Sequence, residues 1–152
     1  MSSQHITKPR GSDRVPAFEH ARVEDVMRPG IISCGPETDL EMVARTMATN
    51  HVHAIVVVGI ELSPSGGEHL TWGLITALDL VAASLPGVSA GDAGELAHTE
   101  VVTVRADEPL ERAAQLMTEH QLTHLLVVSK QAKPIGIVST LDIAGCLAWG
   151  EA

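Results

Sequence analysis

Gly73-Leu74-Ile75-Thr76-Ala77-Leu78-Asp79 returns further along the chain as Gly136-Ile137-Val138-Ser139-Thr140-Leu141-Asp142. Each copy reads as glycine, an apolar pair, a hydroxyl residue, two spacers and an aspartate. The hydroxyl stands where a strand gives way to a helix, and Ser/Thr-x-x-Asp is the signature of a capping box. A polar constellation duplicated beside a duplicated core pattern predicts a two-fold, twin-site architecture.

Working outward, a shift of 70 residues aligns Val23–Val58 with Ala93–Val128 without a gap. Leu40, Val43, Ala44 and Met47 fall on Leu110, Ala113, Ala114 and Met117. Both sets have the i, i+3, i+4, i+7 spacing of one buried helix face. From the terminal motif onward the shift is 63, because the first repeat carries seven extra residues within Gly59–Leu70. There Ser63-Pro64-Ser65-Gly66-Gly67 is a strong turn signal. The first repeat therefore reads as strand 31–33, helix 39–50, strand 54–58, strand 70–75 and helix 77–84. The second reads as strand 101–103, helix 109–120, strand 124–128, strand 134–138 and helix 140–148. Thr38 with Glu41 predicts a capping box, and Pro109 suits a first helical turn. A further short helix is expected ahead of each repeat, at 23–28 and 92–97.

These elements give an α+β fold of two βαββα repeats. A three-stranded sheet of this size buries too little surface to stand alone. The repeats are therefore expected to pack sheet against sheet with pseudo-two-fold symmetry. The expected organisation is a flexible arm at 1–20, a first repeat at 21–85, a linker at 86–92 and a second repeat at 93–152.

The whole chain sets bounds on function. Among 152 residues, 45% are hydrophobic, with one Phe, two Trp and no Tyr, so the core must be aliphatic. A net charge of −9 argues against nonspecific nucleic-acid binding, which needs basic surface. Cys34 and Cys146 form no C-x-x-C pair, which argues against a zinc ribbon. The apolar segments are too short to span a membrane, and no secretory signal is expected. The expectation is a cytoplasmic protein with neither nucleic-acid nor membrane partners.

In this order and twice over, Asp25-Val26-Met27, the apolar helix stripe, the valine-rich strand and the closing motif resemble the cystathionine-β-synthase (CBS) domain, which occurs as a tandem pair. The resemblance covers Val23 to about Ala148. It implies a regulatory module, often a dimer, that binds adenine nucleotides or S-adenosyl compounds in clefts between the repeats. Val56 and Leu126 stand where the family commonly has proline. Gly59 and Ser129 replace an acidic residue, and the motif spacers offer no Lys or Arg.

On that basis Thr76 and Ser139 are expected to meet a phosphate with help from the helix dipole. Asp79 and Asp142 would accept both ribose hydroxyls, and the glycines would let the backbone approach the ligand. The alternative is that both motifs are helix caps and nothing more. For the adenine, Ile32 and Val102 are expected on the short strands flanking each cleft. The opposite wall would hold His53, Ile55, His124 and Leu125. The alternative for these aliphatics is plain core. Trp72 would pack on its hairpin or stack on adenine. His51 with His53, and His120 with His124, supply no third ligand nearby, so no metal site is expected. Nor does any pattern mark a catalytic residue, so the chain is not expected to be an enzyme.

The expected function is a stand-alone module that binds an adenosine-containing ligand and signals to a partner. No cofactor is required; the candidate regulatory ligands are AMP, ADP, ATP and S-adenosylmethionine. Because basic residues near the motifs are few, with Arg28, Arg45, Arg105 and Arg112 the distant helpers, a lightly charged ligand fits better than ATP. A homodimer and an effector protein are the expected macromolecular partners. The alternative is a ligand-independent dimerisation or protein-interaction module.

Overall fold

The computed structural model of the chain describes residues 15–62, 68–88 and 91–151. Residues 1–14 of the expected arm, the turn Ser63–Gly67 and Ser89–Ala90 of the expected linker lie outside the described residues. The elements run α1 (Val23–Val26), β1 (Arg28–Pro29), β2 (Ser33–Cys34), α2 (Leu40–Asn50), β3 (Ala54–Leu62), β4 (Glu68–Thr76) and α3 (Ala77–Ala83). They continue with α4 (Ala93–Leu96), β5 (Thr103–Arg105), α5 (Leu110–His120), β6 (His124–Val128), β7 (Pro134–Ser139) and α6 (Thr140–Trp149). The result is a mixed α+β fold with two sheets, as the repeat pattern implied.

The chain forms two compact units, and they do not coincide with its sequential halves. One comprises Ile31–Val101. Its sheet runs β2-β3-β4, with β2 parallel to β3 and β3 antiparallel to β4. Alternation along β3 turns Ile55 and Val57 into a core with Val43, Met47, Ile75 and Ala93. Ala93 belongs to α4, which precedes the second repeat in sequence. Backbone bonds hold α4 here, from Ala93 N–H to Thr38 O (2.8 Å) and from Gly94 N–H to Pro36 O (2.7 Å).

The other unit joins the described residues up to Gly30 to those from Val102 onward. Its sheet runs β1-β7-β6-β5, with β5 parallel to β6 and the other pairs antiparallel. Leu125, Val127 and Val138 meet Leu110, Ala113, Leu116, Met117, Ile143 and Cys146 in its core. Val23 of α1, from the head of the first repeat, is wholly buried among them. Each repeat thus lends its leading helix to the sheet of the other. The longer helices leave part of each sheet's apolar area uncovered, and a short helix with one buried residue helps to close it. The strands β3 and β6 are buried on both faces, Val56 and Leu126 as well as Ile55 and Leu125. That explains their unbroken aliphatic runs.

The structure revises several local expectations. Asp39, not Thr38, caps α2, its Oδ1 accepting from Met42 N–H at 2.8 Å. Pro109 sits at the N-cap of α5 rather than inside its first turn. Ala44, expected on the apolar face of α2, is exposed. Strand pairing begins at Ser33 and Thr103, so Ile32 and Val102 precede the short strands instead of lying on them. Strands β3 and β4 pair out to Leu62 and Glu68, much beyond the expected hairpin. His51 ends α2 in the left-handed region (φ 53°), as Gln121 ends α5 (φ 54°).

The capping assignment is directly testable. Asp39→Ala should cost about 1 kcal/mol of stability, the usual loss for an N-cap side chain. Thr38→Ala should cost clearly less in the same urea titration, and the reverse order would refute the assignment.

Candidate functional site

Each motif closes a strand and opens a helix with the same set of bonds. At the first, Asp79 Oδ2 accepts from Thr76 N–H (2.8 Å) and from the Thr76 hydroxyl (2.9 Å). The hydroxyl in turn accepts from Asp79 N–H at 3.3 Å. At the second, Asp142 Oδ2 accepts from Ser139 N–H (2.8 Å) and the Ser139 hydroxyl (3.0 Å), with Asp142 N–H returning to Ser139 Oγ at 3.2 Å. Both are reciprocal capping boxes at half-buried positions. The next amide is satisfied from the neighbouring strand's approach: Ala77 N–H donates to His53 O (2.8 Å) and Thr140 N–H to Thr123 O (2.9 Å).

His53 therefore stands beside the first junction through its carbonyl, with an exposed side chain. His124 lies directly across from Ser139 in the β6–β7 ladder, and its Nδ1 is 2.9 Å from the Thr123 hydroxyl. Ile32 and Val102 are half-buried, each packed against the edge of its unit's core. Ile32 O also accepts from Val56 N–H at 3.0 Å. Ile55 and Leu125 differ from expectation. Both side chains are 0% exposed inside the two cores, as the plain-core alternative has it. Trp72 is half-buried opposite Val58 in the β3–β4 ladder.

Sequence reading missed His98. Its Nε2 lies 2.8 Å from Asp79 Oδ1, and its backbone exchanges two 3.0 Å bonds with Leu74 inside the motif. The 70-residue shift that aligns the repeats maps His98 onto Arg28, whose partner across β1–β7 is Ile137, the counterpart of Leu74. The equivalence carries no sequence signal of its own, because it rests on the pairing of Arg28 with Ile137 and of His98 with Leu74. Of the expected distant cations, Arg45 is paired with Glu41 (2.6 Å) and Arg105 with Asp107 (2.6 Å). Among the described residues no group of three or more His, Cys, Asp or Glu is arranged to hold a metal ion. Burial raises the pKa of both thiols, and Cys146 also donates to Pro16 O at 3.2 Å.

The Asp79 carboxyl feels opposing effects. Partial burial pushes its pKa up, but the Thr76 N–H, His98 and the Thr76 hydroxyl together pull it below 3.8. A depressed folded pKa means a stability contribution that is complete above the unfolded value and is lost as pH falls through the folded one. Asp79→Asn should therefore be less stable than the wild type at neutral pH, with the gap closing as the solution is acidified through the titration of Asp79. Urea midpoints across an acid pH series read this directly, and a constant gap would contradict it.

A CBS-domain model matches this chain twice, over residues 23–86 and 93–148. The chain belongs to the CBS-domain family, as a tandem pair. Hypoxic response protein 1 of Mycobacterium tuberculosis is 28% identical over 126 residues, covering 79% of this chain and 80% of that protein. Homoserine O-acetyltransferase of Methanosphaerula palustris is 26% identical over 133 residues, 88% of this chain. The chain spans 25% of that protein's length, and 24% of its Methanohalobium evestigatum counterpart. Among solved structures, CBSX2 in complex with AMP matches with a TM-score of 0.64 at 23% identity, covering 81% of this chain and 93% of that one. The CBS domain pair of protein MJ0100, in complex with 5′-methylthioadenosine and S-adenosyl-L-methionine, matches with a TM-score of 0.68 at 22% identity, over 82% and 93%. Among the described residues no helix is long and apolar enough to cross a membrane.

Proposed function

We propose that this chain is a regulatory CBS pair that binds an adenosine-containing ligand, AMP-like or an S-adenosyl compound, at its strand-to-helix junctions. Thr76 and Ser139 would face the phosphate or its replacement, and Asp79 and Asp142 the ribose hydroxyls. His53, His124, Ile32 and Val102 would flank the nucleoside. The observation that carries this reading is the like construction of the two junctions, each presenting a hydroxyl and a carboxylate at a helix start. The solved relatives complexed with AMP and with S-adenosyl-L-methionine support the ligand class. Arg45 and Arg105 are already paired with carboxylates, which favours a lightly charged ligand over ATP. The module would be cytoplasmic and non-catalytic, transmitting occupancy to an effector protein by binding its ligand more tightly in one conformational or dimeric state.

Calorimetric titration of the full chain with AMP, ADP, ATP and S-adenosylmethionine tests this. Binding by at least one is expected, with Asp79→Ala and Asp142→Ala each weakening a single site. Unchanged affinity in both variants would remove the ribose assignment.

A second reading, a ligand-independent homodimerisation or protein-interaction module, is favoured by a different observation. Leu78 and Val81 on α3, and Leu141 and Leu147 on α6, are between 62% and 75% exposed. No thermal stabilisation by any of the four ligands would favour it.

A further inference from the structure

We propose that His98 is an autoinhibitory partner of Asp79: its imidazole holds the carboxylate oxygen that a ribose diol needs, so the first motif binds an adenosine ligand only by displacing it. This rests on the nucleotide reading of the motif given above, and adds to it a residue that sets affinity.

The argument is one of acceptor capacity. An ionised carboxylate only accepts, through about four lone-pair positions. Two on Asp79 Oδ2 are taken by Thr76 N–H and the Thr76 hydroxyl, and one on Oδ1 by His98 Nε2 at 2.8 Å. A 2′,3′-diol donating both hydroxyls needs two positions where one is left. Something must therefore give. The Thr76 amide is fixed by the start of α3, and the Thr76 hydroxyl is also tied to Asp79 N–H. His98 is different: its side chain is 66% exposed, against 18% for Asp79, so the ring can swing into water at small cost.

The backbone of His98 cannot follow, because its N–H and C=O are both paired with Leu74. The ring therefore pivots from a fixed point and stays close enough to reclaim Asp79 when the ligand leaves. The residue at the matched place beside the second motif is Arg28 rather than a histidine.

The test is calorimetric titration of the full chain with AMP in an Asp142→Ala background, which leaves the first motif as the one reporting site. His98→Ala should tighten AMP binding there by about three- to tenfold, the worth of one net hydrogen bond. His98→Gln, which keeps a donor on a side chain of similar reach, should stay near the parent. The penalty for substituting 2′-deoxy-AMP should also grow in His98→Ala, because both hydroxyls can then be accepted. In an Asp79→Ala background, which reports the second motif, His98→Ala should change nothing. Unchanged or weaker AMP binding in His98→Ala, with the parent still binding, overturns the proposal alone. No AMP binding by any of these proteins, wild type included, overturns the AMP reading on which it stands.

Discussion

Gly136→Ala is expected to cost about 3 kcal/mol of stability, near the upper end for forcing an extra methyl into a packed site. A Cβ at this position would stand 2.6 Å from the carbonyl oxygen of Arg28 and 3.1 Å from the sulfur of Met27. The methionine can yield, but the carbonyl belongs to β1, which pairs with β7 through Arg28–Ile137 and Pro29–Gly136. Relief requires β1 to lift off its sheet. Gly73→Ala should cost less, about 1 kcal/mol, because its closest obstacle is the methyl of Ala97 at 2.9 Å and the His98 carbonyl is 3.4 Å away. Urea midpoints give the ranking. Hydrogen exchange at the Gly30 amide, bonded to Ile135 O at 2.9 Å, reports whether β1 has detached. A Gly136→Ala midpoint equal to that of wild type would mean that β1 is not seated as described.

The same distances change the meaning of the motif glycines. Read from sequence, they make room for a ligand; in the fold, the space beside each is filled by the chain that follows a leading helix. No local pattern could give that, because α1 and α4 act on sheets remote in sequence. Nor does a two-residue strand such as β1 have any periodicity to detect. The helices α2 and α5 were legible because a 3.6-residue stripe is a local property. So was the reciprocal capping at Thr76 and Ser139, which needs only three residues of sequence separation. The edge strands β2 and β5 were displaced by about two residues because a partner's register, not their own composition, decides where pairing begins. His98 was invisible for a related reason: it reaches Asp79 only because its backbone bridges to Leu74. The motif caps were therefore legible, the cap of α2 was placed one residue early at Thr38, and what depends on the exchange of leading segments was not legible.

Ile55→Ala and Leu125→Ala are each expected to lose roughly 2–5 kcal/mol, the range for emptying a fully buried aliphatic site. Both side chains are completely enclosed, Ile55 with Val43 and Met47, Leu125 with Leu116 and Met117. Each helix is closed at its C-terminus by capping bonds around its left-handed residue, Val52 N–H to Met47 O (3.1 Å) and Leu122 N–H to Met117 O (2.9 Å), which hold it against collapse into the void. His53→Ala, by contrast, removes an exposed ring and keeps the carbonyl that accepts from Ala77, so it should cost clearly less than either core substitution. The contrast separates the two kinds of residue expected on the nucleoside wall. If Ile55 or Leu125 were ligand-facing, its alanine variant would lose AMP affinity with little change in urea midpoint. As core residues they should do the opposite, unfolding earlier while the AMP affinity of the folded fraction stays close to the parent. A Leu125→Ala protein within about 1 kcal/mol of wild type would contradict the burial that places it in the core.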